Sequence, residues 1–238
     1  MGTGNINQHI SQQFNEELEA IRHKVLAMGG LVEEQIENAT VALVSSDVER
    51  AEGVISRDYK VNAYEVAIDE ESIQILARRQ PAAGDLRLIV AVIKTITDLE
   101  RMGDQAEKVA RMAIHLADME RPKNQYSELE HLSDQVRKML RGALDAFARM
   151  DAEAAAAVAR EDLKVDAEYD AIMRQMITFM MEDPRNVRRT LDTMWSARAL
   201  ERIGDHARNI CEYVIYLVKG KDVRHISLDE LSKEAIKD

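Results

Sequence analysis

Glu100-Arg101-Met102-Gly103-Asp104 recurs as Glu201-Arg202-Ile203-Gly204-Asp205, 101 residues further along a chain of 238. Each copy lies in a stretch with helical periodicity, so the chain reads as a doubled helical unit. The two acids of each copy stand four residues apart, which on a helix puts them on one face with Cβ atoms roughly 5–6 Å apart. Carboxylates that close repel one another unless a cation lies between them.

Apolar residues step by three and four around both copies. Ile89, Val92, Ile96, Leu99, Gly103, Ala106, Ala110 and Ala113 form one series, and Leu200, Gly204, Ala207, Cys211, Val214 and Val218 another. Phe14, Leu18, Ile21, Val25, Met28 and Val32 give a third, and Val165, Tyr169, Ile172, Met176 and Phe179 a fourth. This is bundle periodicity. With three prolines and ten glycines, the composition favours helix nearly throughout. Breaks at Ser45-Ser46-Asp47, Gln80-Pro81, Arg121-Pro122-Lys123-Asn124, Met150-Asp151 and Asp183-Pro184 predict six helices of about 30 residues, roughly 45 Å each. Asp47 and Asp151 are the expected N-caps.

A second repeated signal, Asp58-Tyr59-Lys60-Val61-Asn62 against Asp162-Leu163-Lys164-Val165-Asp166, falls on the middle helix of each half, 104 residues apart. The expectation is an all-α fold of two tandem three-helix bundles, over residues 1–121 and 122–220, with a loosely held polar tail over 221–238. Met1 to Ile6 reads as a second flexible tail.

Bulk properties narrow the function. A formal net charge of −11 argues against nucleic acid, which draws its affinity from clustered Lys and Arg. The single cysteine, Cys211, excludes an intramolecular disulfide framework and a thiolate-rich metal site, and suits a reducing, cytoplasmic setting. The longest apolar run, Leu88 to Ile93, is far short of the roughly 20 residues that span a bilayer.

Gly103 and Gly204 stand on the core seam, where glycine costs about 1 kcal/mol relative to alanine. A missing side chain there lets the neighbouring helix come close, so that Asp58 and Asn62 face Glu100 and Asp104, while Asp162 and Asp166 face Glu201 and Asp205. Two oxygen-rich sites result, suited to Mg, Mn, Ca or Fe rather than structural zinc. The plain alternative is a solvated face on which Arg101 and Arg202 neutralise the acids; duplication of both motifs beside a seam favours metal. Asn62 in place of an acid predicts weaker binding at the first site. A ferritin-like di-metal enzyme would need paired Glu-x-x-His motifs, and only Glu128-x-x-His131 is present. No phosphate loop or nucleophile elbow occurs, and His206 is read as a neighbour of the cluster rather than a general base. Met173, Met176, Met180 and Met181 are either core or an adaptable partner surface.

These motifs, together with His9-Ile10-Ser11-Gln12-Gln13-Phe14, Met28-Gly29-Gly30-Leu31, Ala77-Arg78-Arg79-Gln80-Pro81 and the run Tyr216 to His225, resemble the PhoU family over nearly the whole chain. The resemblance implies two three-helix bundles related by a pseudo-two-fold, with metal clusters at the acid-x-x-x-Asp motifs. Residue by residue it carries over to Asp58, Asn62, Glu100, Asp104, Asp162, Asp166, Glu201 and Asp205, with Arg101, Gly103, Arg202 and Gly204 in support. It also implies a non-enzymatic homodimer that damps the phosphate-starvation response. The implied partners are a sensor histidine kinase and the ATPase of the phosphate transporter, through which the protein would lie against the inner membrane.

Overall fold

The structure, a computed structural model, describes residues 3–119 and 126–237, with side chains from Gln12 onward. The described residues form eight α-helices: α1 (Thr3–Ser45), α2 (Val48–Arg57), α3 (Tyr59–Arg79), α4 (Ala83–Ala117), α5 (Ser127–Arg149), α6 (Ala152–Glu182), α7 (Val187–Lys219) and α8 (Leu228–Ile236). One 3₁₀ turn, Pro184–Asn186, joins α6 to α7. The fold is all-α, two three-helix bundles in tandem: α1, α2–α3 and α4, then α5, α6 and α7.

Local chemistry sets the boundaries. Asp47 and Asp151 cap α2 and α6, accepting hydrogen bonds from the Arg50 and Ala154 amides, both at 2.9 Å. Ser46, Gln80 and Met150 take positive φ at the ends of α1, α3 and α5, turning the chain sharply between antiparallel neighbours. The Arg121–Asn124 break lies outside the described residues.

Two helices more than six are present, for separable reasons. The middle helix of the first half divides at Asp58, where the backbone stays right-handed (φ −57, ψ −34). There the Val61 amide reaches the Asp58 carbonyl at 2.9 Å while the Asn62 amide is at 3.4 Å, a tightening of the helix rather than a stop. The segment expected to be a loose tail carries α8, closed by a reciprocal capping box between Ser227 and Glu230. Leu231 and Ala235 of α8 are buried, and Arg160 of α6 reaches Asp229 at 2.7 Å and Ser232 at 2.9 Å. Its nine residues are too few for a clear periodic signal. At the other end, α1 already runs from Thr3, so Thr3 to Ile6 is helical rather than a tail; no proline interrupts the ladder between Thr3 and Ser45.

Helices α4 and α7 pack antiparallel against each other at the centre, with Arg87 Nε donating to the Leu217 carbonyl (3.3 Å) and Asp98 meeting His206 (2.7 Å). Helix α1 spans both halves, through Glu17–Arg79 to α3 and Thr40–Ser133 and Glu37–Arg137 to α5. The buried residues of both halves form one hydrophobic core. The methionines divide: Met176 is core, while Met181 is 80% exposed.

Leu231→Ala removes an apolar anchor of α8, and core truncations of this kind cost about 2–5 kcal/mol. Because α8 packs on little besides α6, the expected result is local: faster amide exchange and proteolysis over residues 221–237, with the midpoint of global unfolding changed little.

Candidate metal sites

The two glycines of the repeated motif are where neighbouring helices close in. A Cβ on Gly103 would stand 3.1 Å from Gln35 Oε1, 3.3 Å from Asp58 Oδ1 and 3.5 Å from Val61. On Gly204 it would stand 3.2 Å from Val165 and 3.5 Å from Asp162 Oδ1 and from Val136. In each half the glycine of the motif helix thus receives the aspartate that opens the second repeated signal, and the acids of two helices are brought face to face.

In the first site, one oxygen each from Asp58, Asp104 and Glu107 lie within 4.8 Å of one another. Asp58 is held by Gln35 Nε2 at 3.4 Å and Asn62 Nδ2 at 3.2 Å, so Asn62 serves as a donor to Asp58. Burial raises the Asp58 carboxyl above the usual range, and Glu107 and Asp104 add to the rise. Glu100 is raised by burial, then by Asp104, Glu65 and Asp58. Glu65, one heptad beyond Asp58, is raised by burial first, with Asp69 and Asp104 contributing.

In the second site Asp162 is 2% exposed and Glu201 7%. Arg208 Nη1 donates to Asp162 Oδ2 at 2.9 Å, and Arg198 Nη1 to Glu201 Oε1 at 2.7 Å. The remaining oxygens, Asp162 Oδ1 and Glu201 Oε2, are buried without a hydrogen-bond partner. Burial followed by the Asp205 charge pushes Glu201 up to about 7, with Asp166 and Asp162 contributing. Asp162 is raised by burial against the opposing pull of Arg208, and Asp166 by burial and then Asp162.

Orphaned carboxylate oxygens inside a group of like charges are what a hard cation would satisfy, since burying such a group unpaired costs about 1–3 kcal/mol or more. The donor set is all oxygen, which fits Mg, Mn, Ca or Fe. Of the acids singled out in the sequence, Asp58 and Asp104 meet in the first cluster with Glu107, while Glu201 lies close enough to Asp205, Asp166 and Asp162 for their charges to raise its carboxyl.

Three features differ from the sequence expectation. Arg101 and Arg202 are exposed and make no ion pair with the motif acids among the described residues; one position from Glu100 and Glu201, they point about 100° away around the helix. The arginines that do enter are Arg198 and Arg208. Glu107 joins the first site, where Arg208 occupies the matching place in the second, 101 residues on. The acid lost at Asn62 is therefore offset by an acid gained at Glu107, and the charge argument for a weaker first site falls away. Glu107 was legible in principle, lying three residues beyond Asp104 and seven beyond Glu100 on the same helix face.

The PhoU domain family matches residues 25–113 and 129–214, one segment around each site. The chain belongs to the PhoU family. It is 53% identical over 229 residues to the phosphate-specific transport system accessory protein PhoU homolog of Pseudomonas putida, covering 96% of this chain and 90% of that one. It is 48% identical over 233 residues to the PhoU accessory protein of Escherichia coli K12, covering 98% and 96%. The crystal structure of PhoU from Pseudomonas aeruginosa superposes with a TM-score of 0.84 at 53% identity, over 87% of this chain and 100% of that chain. The PhoU fold and the family assignment thus agree with the duplicated helical unit.

A raised carboxyl pKa means that the folded state disfavours the charged form. In chelator-treated protein Glu201 therefore contributes no penalty below its unfolded value near 4.5, and a growing one as pH rises to about 7, constant beyond. Glu201→Gln should stabilise the metal-free protein, relative to the parent, by about 1–3 kcal/mol at pH 8 and by little at pH 4. Denaturant unfolding at the two pH values checks this. Separately, Glu107→Gln should weaken cation binding at the first site by about tenfold or more, measured by calorimetric titration of stripped protein with Mn.

Proposed function

We propose that the chain is a metal-braced adaptor accessory to phosphate-specific transport. It would restrain phosphate uptake and the phosphate-starvation response when phosphate is plentiful, without catalysing a reaction. The observation that carries this reading is the pair of acid clusters at the seams α3–α4 and α6–α7, half-buried in the first and holding the buried Asp162 and Glu201 in the second, in a chain whose relatives are named phosphate-specific transport system accessory proteins. A cation supplies charge neutralisation between carboxylates that otherwise repel. The chain's own residues do the rest. Asp58 and Asp104 hold α3 to α4, Asp162 and Glu201 hold α6 to α7, and the Asp98–His206 contact fixes α4 against α7 between them. The outer faces of both bundles are then set in one arrangement for a partner to read.

The partners that fit this role are the sensor histidine kinase of the phosphate two-component system and the ATPase subunit of the phosphate transporter, met by a homodimer of the chain. No helix among the described residues is long and apolar enough to cross a membrane, so attachment to the inner membrane would run through those partners. The di-metal enzyme reading has no observation in its favour. His131 of the lone Glu-x-x-His motif is 66% exposed and bonded to Glu168 of α6, and the group of Asp58, Asp104 and Glu107 includes no histidine.

Glu201→Ala/Asp205→Ala and Asp58→Ala/Asp104→Ala should each lose about half of the bound metal and relieve repression of a phosphate-starvation promoter in phosphate-replete cells. Elemental analysis and a promoter reporter read the two effects. Metal content and repression unchanged in both variants would contradict the proposal.

A further inference from the structure

The neighbours of the two motif glycines match at two places and differ at a third. Gly103 faces Asp58, Val61 and Gln35, and Gly204 faces Asp162, Val165 and Val136. Aspartate answers aspartate and valine answers valine, but α1 sends an amide to the first seam where α5 sends a branched hydrocarbon to the second, 101 residues on. Val136 is buried core, so a seam of this kind accepts an apolar side chain at that place. An amide there costs its desolvation unless both of its ends find partners.

Gln35 has only one end satisfied. It is 7% exposed, and its Nε2 donates to Asp58 Oδ1 at 3.4 Å, while Asn62 donates to the other oxygen of that carboxylate at 3.2 Å. The opposite end, Oε1, is buried and has no hydrogen-bond partner among the described residues. It stands 3.1 Å from where a Cβ on Gly103 would be, and Asp58 Oδ1 is 3.3 Å from the same point. On α4, Gly103 lies three residues after Glu100, one before Asp104 and four before Glu107. Glu100 and Glu107 therefore share its helix face, and the bare oxygen is aimed into the group formed by Asp58, Asp104 and Glu107.

We infer that Gln35 is a ligand of the first cation site, its Oε1 joining the carboxylates of Asp58, Asp104 and Glu107. The inference rests on the reading of that acid cluster as a cation site, and adds to it a donor from a third helix. Hard cations take amide carbonyl oxygens beside carboxylates, and a neutral donor fills a coordination position without adding charge to acids that already repel. The cation would then tie α1 to α3 and α4, whereas Val136 has no oxygen to offer at the second site. Helix α1 also reaches α5 through Thr40 and Ser133, five residues beyond Gln35, so the helix held at the first site is one that joins the two halves.

The full-length chain carrying Glu201→Ala/Asp205→Ala, in which the second site is disabled, serves as the parent; it is stripped with chelator and titrated with Mn by calorimetry. Gln35→Val, which copies the second half, should weaken Mn binding about tenfold or more. Gln35→Glu, which keeps an oxygen at the same reach, should bind Mn at least as tightly as the parent. Thermal unfolding separates a ligand from a structural amide. If Gln35 is a ligand, stripped Gln35→Val melts no lower than the stripped parent, because hydrocarbon replaces a bare oxygen, and its melting temperature rises less on adding Mn. A structural amide gives the reverse, a lower melting temperature without metal and an undiminished rise with it. Unchanged Mn affinity in Gln35→Val, or weaker binding by Gln35→Glu, beside a parent that binds Mn overturns the inference and leaves the cation site standing. A parent that binds no Mn overturns both.

Discussion

Carboxylates pressed together across a helix seam are the constraint on which the molecule depends. Gly103 and Gly204 remove the side chains that would keep α3 from α4 and α6 from α7, and the space is given to Asp58 and Asp162. The result is unfavourable on its own terms, since burial raises the carboxyls and their neighbours raise them further. A cation bound there would turn that repulsion into a clamp between helices. In the second cluster Arg198 and Arg208 satisfy one oxygen each of Glu201 and Asp162, and the other oxygens have no hydrogen-bond partner.

The two halves solve the same problem with different charge patterns. The first site has Glu107 and Asn62 where the second has Arg208 and Asp166. Two matched positions differ, and both sites stay acidic, but only the second carries a built-in guanidinium. The two sites lie within a single core that joins them through α4 and α7.

Much of this was readable from the residues. The doubled motif, the three–four spacing and the aspartate caps gave the helices and most of their ends, because each rests on interactions within one turn. What escaped required knowledge of neighbours. Arg208 enters the second site because of where α6 lies, and α2 and α3 divide at Asp58, whose side chain meets Gln35 of α1. Helix α8 forms because Leu231 and Ala235 find a surface on α6, a tertiary gain invisible in a short polar stretch. Glu107 and Glu65 were within reach, since both lie one heptad from a named acid.

The most direct test is anomalous diffraction from crystals of chelator-stripped protein soaked in manganese. The account predicts two groups of anomalous peaks related by the pseudo-two-fold, one bounded by Asp58, Asp104 and Glu107 and the other by Asp162 and Glu201, with Arg208 displaced from Asp162. Peaks absent from both seams, with Arg198 and Arg208 still seated on their carboxylates, would show that the clusters are salt-bridged scaffold and would contradict the central claim.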